Sequence, residues 1–296
     1  MPDITTPSGV KDILKEYDIN INRGLGQNFL VDSNILEKMV EAACLDAGDR
    51  VVEIGPGLGA LTGALVDALP EGQVLAVEKD SRLCQVLQDL FHQEENVEII
   101  CGDALEFNWA EELTARGFGK GGYQVVANLP YYITSPIIRL FLELSPTPES
   151  LIFMVQKEVG ERIAASPGSK AYGTLSIAVQ YYAEPEMIYQ VPSTVFWPRP
   201  EVESVILRLK PGENREERAD NEELFFKIVR ALFQQRRKTI RNSLSKAAEI
   251  DLSRELVGRA LERAGINSRI RGEKLTWQEI VELSDIINAL LAEVGD

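Results

Sequence analysis

From Arg50 onward the chain alternates short, unbroken apolar runs with segments whose apolar residues recur every three or four positions. The first pattern is that of strands buried on both faces, and the second that of helices laid against them. Strands are predicted at Arg50–Ile54, Gln73–Glu78, Val97–Cys101, Tyr123–Asn128 and Leu151–Gln156, with a further one around Leu175–Tyr182. Helices are predicted at Ala60–Ala68, Ser81–Phe91, Pro136–Leu144 and Lys157–Ala164, preceded by one that Asp32 caps and that carries Ile35, Met39, Val40 and Ala43. Such alternation implies an α/β fold with a parallel, doubly wound, Rossmann-like sheet. Two late strands, near Met187–Val191 and Val202–Lys210, are expected to close its edge. Residues 1–22 read as an N-terminal extension with a short amphipathic helix around Val10, Ile13, Leu14 and Tyr17. The segment Lys210–Glu223 is charged, aperiodic and contains Pro-Gly, as a linker would. Helices follow at Leu224–Phe233, Arg237–Lys246, Ser253–Ala264 and Thr276–Glu293. The expected division is therefore an extension over 1–22, an α/β domain over 23–210, and a linker with a small all-α domain over 211–296.

Composition narrows the chemistry. A chain of 296 residues that is 45% hydrophobic and 26% charged has the makeup of a globular protein with a sizeable core. Its start, MPDITTPSGVKDIL, lacks a signal-peptide pattern, and no apolar run approaches a membrane span. Three cysteines without a CxxC pair predict neither a disulfide framework nor a zinc site, and fit a cytoplasmic protein. The one histidine, His92, lies in the polar stretch FHQEEN, so chemistry resting on a histidine base or metal cluster is not expected. A net charge of −15 speaks against a nucleic-acid partner until its distribution is considered. Eight acids and no base fall between Cys84 and Ala115, whereas seven bases and no acid fall between Leu224 and Ala248. Within that basic stretch Arg236, Arg237, Lys238 and Arg241 are candidate phosphate contacts. The alternative is a solvated helix face.

Three strand ends carry candidate ligand chemistry. In VVEIGPGLGALTGAL (51–65) a strand runs through Glu53 into Gly55, Gly57 and Gly59 and then an apolar helix. Such glycines allow a tight turn and a close ligand approach at a helix N-terminus, although a purely structural turn uses them too. The spacing is GxGxG, and the carboxylate of Glu53 ahead of it suits a cationic amino group better than a pyrophosphate. Glu78, about twenty residues beyond the glycines, is placed to accept from ribose hydroxyls. Asp103, after the third strand, is placed to accept from an adenine amino group. Either acid alone would also serve as a helix cap. Together they point to an adenosyl ligand with a positive charge, S-adenosylmethionine.

The fourth strand ends in Asn128-Leu129-Pro130-Tyr131. Methyl transfer to an aromatic amine is difficult because the nitrogen lone pair is delocalised into the ring. The Asn128 side-chain oxygen and a backbone carbonyl of Leu129 or Pro130 can hold both amino hydrogens. That draws the nitrogen toward tetrahedral geometry and aims its lone pair at the methyl group. Pro130 stiffens the turn and Tyr131 offers a ring for the base to stack on. The proton can depart after transfer, so no strong base is required.

Five segments occur in one order: GQNFLVD (Gly26–Asp32), EIGPGLG (Glu53–Gly59), GDAL (Gly102–Leu105), NLPYYITSPI (Asn128–Ile137) and FWPRPEVES (Phe196–Ser204). In this the chain closely resembles the KsgA/RsmA ribosomal RNA adenine dimethyltransferases, strongly from Gly24 to Leu209 and more loosely through FQQRRKTIRNSL (Phe233–Leu244) to the end. The resemblance implies an enzyme with a Rossmann-like catalytic domain and a small helical C-terminal domain, and a monomer is expected. It implies two methyl transfers to each of two adjacent adenosines near the 3′ end of 16S rRNA in a small-subunit assembly particle. The family's cofactor contacts fall on Asn28, Leu30, Gly55, Glu78, Asp103 and Asn128, and its aromatic against the target base on Phe196. Glu201 stands where relatives often carry Lys, which removes positive charge from that loop. Rival readings are an Erm-type 23S rRNA methyltransferase and a non-catalytic RNA-binding or transcription factor on the same fold. A glutamine-directed protein methyltransferase and a dehydrogenase fit less of the pattern.

Overall fold

The computed structural model describes residues 3–22, 26–119, 122–212, 217–250 and 252–295. The chain divides into two compact units, Met1–Gly160 with Glu184–Pro211, and Glu161–Ala183 with Gly212–Asp296. A single boundary near residue 210 does not describe this division, because residues 161–183 fold with the C-terminal helices.

The first unit opens with α1 (Pro7–Glu16), β1 (Phe29–Leu30) and α2 (Ser33–Ala43). It continues through β2 (Arg50–Ile54), α3 (Ala60–Ala68), β3 (Gln73–Glu78), α4 (Ser81–Leu90), β4 (Val97–Cys101) and α5 (Trp109–Ala115). Then come β5 (Gln124–Asn128), α6 (Thr134–Glu143), β6 (Ser150–Gln156) and α7 (Lys157–Ile163), whose C-terminal half passes into the second unit. The chain returns with β7 (Ala183–Val191), β8 (Phe196–Trp197) and β9 (Ser204–Pro211). Seven strands form one sheet in the order β4-β3-β2-β5-β6-β9-β7, with β2 parallel to both β3 and β5, and β9 antiparallel to β6. The two late strands thus close one edge, as the sequence pattern implies. Strand order reverses between β2 and β5, and in such sheets ligands bind beyond the carboxyl ends at that crevice.

The elements follow from the chain's chemistry. Asp32 caps α2 by accepting from the Asn34 and Ile35 N–H groups at 3.0 and 3.2 Å, which is worth about 1 kcal/mol. Val51, Val52 and Ile54 of β2 are fully buried, as expected of a central strand covered on both faces. Ile35, Leu36 and Met39 of α2 pack with Leu61 and Leu65 of α3 in the same core.

In the second unit the segment predicted as a strand at Leu175–Tyr182 is instead helix α8 (Thr174–Gln180). Ser176 ties it down, accepting from the Gly173 N–H at 3.0 Å and donating to the Arg162 carbonyl. The remaining helices are α9 (Glu222–Gln234), α10 (Ile240–Leu244), α11 (Arg254–Arg263) and α12 (Trp277–Gly295). Of the expected linker, residues 210 and 211 end β9, 213–216 lie outside the described residues, and 222 onward is already α9. The helix expected at Arg237–Lys246 is shorter: residues 235–239 form a turn before α10. Helix α5 has no counterpart in the sequence-based reading. Nor has the approach of Cys84 on α4 to Cys101 on β4, whose Cα atoms are 5.8 Å apart, a spacing at which a disulfide can close. Among the described residues no helix is long and apolar enough to cross a membrane.

Candidate active site

One cavity opens at the carboxyl ends of β2, β3 and β5 in the first unit. The glycine loop forms its floor. Gly57 and Gly59 adopt φ of 64° and 87°, where a side chain is strained, and a Cβ on Gly59 would meet the Phe91 ring at 2.6 Å. Loop and acids are tied together, for the Gly57 N–H donates to Glu78 Oε2 at 3.0 Å. The Asp80 N–H donates to the other oxygen, Glu78 Oε1, at 2.8 Å. Burial raises the Glu78 carboxyl, and these two N–H groups pull it back.

Glu53 lies deeper, only 1% exposed, and accepts from the Thr62 hydroxyl at 2.7 Å. Burial outweighs that hydrogen bond and pushes Glu53 up to about 8, with the nearby Glu78 charge adding to it. A buried carboxyl of this kind is complementary to a cation entering the cavity. Asp103 is held on both oxygens. Oδ1 accepts from the Leu105 N–H at 3.0 Å and Oδ2 from Lys79 Nζ at 2.5 Å. The Lys79 ammonium, aided by the Leu105 N–H, keeps the Asp103 carboxyl below its usual range.

The opposite wall comes from β1 and β8, which pair antiparallel with Phe29 opposite Trp197 and Leu30 opposite Phe196. This small ladder carries Asn28, Leu30 and Phe196 to the cavity. Asn28 also orients the Asn128–Tyr131 turn, because its carbonyl accepts from Asn128 Nδ2 at 3.4 Å. With Nδ2 so engaged, Asn128 Oδ1 is the atom left for a ligand donor. The Leu129 N–H donates to Met154 O at 3.2 Å, and the Pro130 carbonyl accepts from the Ile133 N–H at 3.1 Å. The Tyr131 hydroxyl lies 3.3 Å from that of the buried Ser204 on β9, which fixes the far end of its ring.

The structure therefore gathers the candidate residues Asn28, Leu30, Glu53, Gly55, Gly57 and Glu78 around one cavity with Asp103, Asn128, Leu129, Pro130, Tyr131 and Phe196. Lys79, Tyr132 and Ile4 also line it and were not singled out by sequence. Lys79 directly follows Glu78 at a strand end, which is the only sequence signal it carries.

The candidate phosphate contacts lie in the second unit, on and just after the turn between α9 and α10. Arg236 is exposed but already engaged by its own unit. Its Nη2 donates to Tyr172 O at 2.9 Å and Lys170 O at 3.2 Å, and stands 3.2 Å from Glu273 Oε2. Arg241 is half-buried, with its guanidinium beside Gly258 of α11. Arg237 and Lys238 are exposed and form no salt bridge among the described residues. Earlier in the basic stretch Lys227 and Arg230 pair with Glu223 and Glu249 at 2.6 and 2.8 Å, so part of that stretch is an ordinary ion-paired helix surface.

The family model for ribosomal RNA adenine dimethylases matches residues 19–289. The ribosomal RNA small subunit methyltransferase A of Halothermothrix orenii is 48% identical over 284 residues, covering 96% of this chain and 94% of the relative. That of Alkaliphilus metalliredigens is 41% identical, covering 98% and 99%. Among solved structures, a dimethyladenosine transferase from Plasmodium falciparum superposes with a TM-score of 0.71 at 27% identity, covering 85% of this chain and 94% of the other. The 23S rRNA methyltransferase ErmE superposes with a TM-score of 0.68 at 26% identity, covering 88% and 100%.

Proposed function

The chain belongs to the ribosomal RNA adenine dimethylase family, and on that premise we propose that it uses S-adenosylmethionine to dimethylate N6 of two adjacent adenosines near the 3′ end of 16S rRNA. The observation that carries this reading is the orientation of Asn128. Its Nδ2 is held by the Asn28 carbonyl, which leaves Oδ1 to accept one amino hydrogen of the target base. The Leu129 carbonyl is the better second acceptor, since the Pro130 carbonyl already serves Ile133. Two acceptors so placed hold the amine in the geometry transfer needs. Tyr131, anchored through Ser204, and Phe196, packed in the β1–β8 ladder, supply the aromatic faces for the base.

The cavity fits S-adenosylmethionine residue by residue. Glu78 is oriented to accept from ribose hydroxyls, Asp103 from the adenine amino group, and Asn28 and Leu30 close the opposite wall. Glu53 meets the cationic amino group, and loss of its proton on binding would neutralise that charge inside the protein. The cofactor, when bound, supplies a sulfonium-activated methyl group. No step requires a metal, and the amine's proton leaves to solvent after transfer.

The substrate assignment follows relatives at 48% and 41% identity over nearly the whole chain, which carry the small-subunit name; the likeness to ErmE, at 26% identity, is one of fold. We take the second unit, Glu161–Ala183 with Gly212–Asp296, as the RNA-holding part, with Arg237 and Lys238 making phosphate contacts and Arg236 and Arg241 shaping the turn. The protein acts as a cytoplasmic monomer on a small-subunit assembly particle. Incubating unmethylated small subunits with the protein and methyl-labelled S-adenosylmethionine tests the reading: label should enter 16S rRNA as N6,N6-dimethyladenosine. Label confined to 23S rRNA or to protein would overturn it.

A further inference from the structure

One residue of the cavity lining comes from ahead of the motifs. Ile4, just ahead of α1, lines the same space as Glu78 and Asp103. Helix α1 buries Val10, Ile13 and Leu14 against Phe29 of β1, Leu58 of the glycine loop, and Leu83 and Val86 of α4. Lys11 lies over the Trp197 ring at 5.5 Å, and Tyr17 donates to Asp89 Oδ2 at 3.1 Å. The helix thus touches three of the parts that frame the cavity: the glycine loop, the β1–β8 ladder and α4.

A chain of hydrogen bonds leads from this arm to Glu78. Arg82 donates through Nη1 to the Asn20 carbonyl at 3.2 Å. Its Nε and Nη2 form a fork on Asp80 Oδ1 and Oδ2 at 2.9 and 2.6 Å. Gln27 accepts from the Asn22 N–H at 2.8 Å and donates to Asp80 Oδ2 at 3.0 Å. The Asp80 side chain is therefore clamped by Arg82 and Gln27, each of which also bonds the backbone of the arm, at Asn20 and Asn22; the Asp80 N–H is one of the two donors that orient the Glu78 carboxylate.

We propose that residues 3–22 are a working part of the cofactor site: they add Ile4 to its lining, pack behind the glycine loop and β1, and brace the Arg82–Asp80 clamp that holds Glu78 in its ligand-reading orientation. Arg82 is a positioning residue, acting on the ligand only through Asp80 and Glu78. The proposal rests on the assignment of this cavity to S-adenosylmethionine and says which further segment retains it. It has a thermodynamic consequence. If docking of α1 tightens ligand binding by some factor, bound ligand must tighten docking of α1 by the same factor.

The test uses the full chain and S-adenosylhomocysteine as the probe. Its affinity and dissociation rate are measured for the wild type, Arg82→Met, Arg82→Lys and Ile13→Asp. Arg82→Met keeps the side-chain stem and removes the fork, so it spares the core that Ile13→Asp disturbs. In parallel, trypsin cleavage after Lys11 and Lys15, both exposed on α1, is followed with and without the probe. Arg82→Met should weaken binding by on the order of 5- to 50-fold, mainly through faster dissociation, with Arg82→Lys in between. The probe should protect Lys11 and Lys15 from cleavage in the wild type and much less in Arg82→Met. If Arg82→Met binds like the wild type and the probe leaves cleavage unchanged, residues 3–22 are only a packed appendage and this proposal fails alone. If the wild type does not bind the probe at all, the cofactor assignment fails with it.

Discussion

Replacing Glu53 with Gln removes one buried proton-binding group and leaves a side chain of nearly the same shape. In the folded protein Glu53 is 1% exposed and its carboxyl is pushed up from 4.5 to about 8. The sign follows directly. The folded state holds this proton more tightly than the unfolded state, so Glu53 favours folding least at high pH, and its contribution falls as pH rises from about 4.5 to about 8. At about 1.4 kcal/mol per decade, the loss between pH 5 and pH 8 comes to roughly 3 kcal/mol for this group. Gln does not titrate and can still accept from the Thr62 hydroxyl. Urea unfolding without cofactor, followed by tryptophan fluorescence at pH 5 and pH 8, should therefore show Glu53→Gln gaining on the wild type by about 3 kcal/mol across that interval. The other titrating groups are common to both proteins and cancel in the comparison, except Glu78, whose charge acts on Glu53. A second readout concerns the ligand. A cation beside Glu53 favours its ionised form, so S-adenosylmethionine should displace a proton and bind the wild type more tightly as pH rises from 6 to 8. In Glu53→Gln that dependence should flatten and affinity should fall. A stability difference that is the same at both pH values would refute the reading of Glu53 as a buried, protonated carboxyl.

The remaining predictions address catalysis and RNA. Asn128→Ala removes one of the two acceptors for the amino hydrogens, and turnover should fall by roughly 10²-fold or more, with S-adenosylhomocysteine affinity by calorimetry changed far less. Near-normal turnover would remove the Asn128–Tyr131 turn from the active site. Replacing both Arg237 and Lys238 with Ala should weaken binding to small-subunit particles and lower the slope of log affinity against log salt by roughly 1.5, without altering cofactor binding. An unchanged slope would make them mere surface charges. Arg236→Ala should instead lower thermal stability, by on the order of 1 kcal/mol, because it leaves the Tyr172 and Lys170 carbonyls without their donor. A melting temperature equal to that of the wild type would contradict that internal role.

Much of the site could be read from the chain because it is local. The passage from β2 through the glycines into α3 is written in consecutive residues, as are the Asp32 cap and the turn at Asn128. What depends on approach between distant segments could not be read. Lys79 reaches Asp103 only because β3 and β4 run parallel, with Glu78 opposite Cys101; the approach of Cys84 to Cys101 has the same origin. The pairing of Phe29–Leu30 with Phe196–Trp197 joins residues far apart in sequence, and two-residue strands leave no periodic trace. The sequence of α8 reads as a strand because Leu175, Ile177 and Val179 alternate with smaller or polar residues. Ser176 and its bond to the Arg162 carbonyl decide for the helix. Short α5 escaped notice because only Trp109 and Leu113, four apart, are buried along it. The amphipathic character of α1 was plain in the sequence, but what its apolar face covers was not. The basic stretch shows the same limit: the pattern reads as a helix, and Arg236 bonds the distant Lys170 and Tyr172 carbonyls, which no local rule predicts.

The central claim is that the Asn128–Tyr131 turn places two methyl groups on each of two adjacent adenosines of 16S rRNA. Mass spectrometry of nuclease fragments from unmethylated small subunits, treated with S-adenosylmethionine and either the wild type or Asn128→Ala, measures this most directly. The wild type should yield adjacent dimethyladenosines in a single fragment near the 3′ end, and Asn128→Ala at most traces at equal protein concentration. Methylation at another base or in another RNA would contradict it, and so would full dimethylation by the Asn128 variant at the wild-type rate.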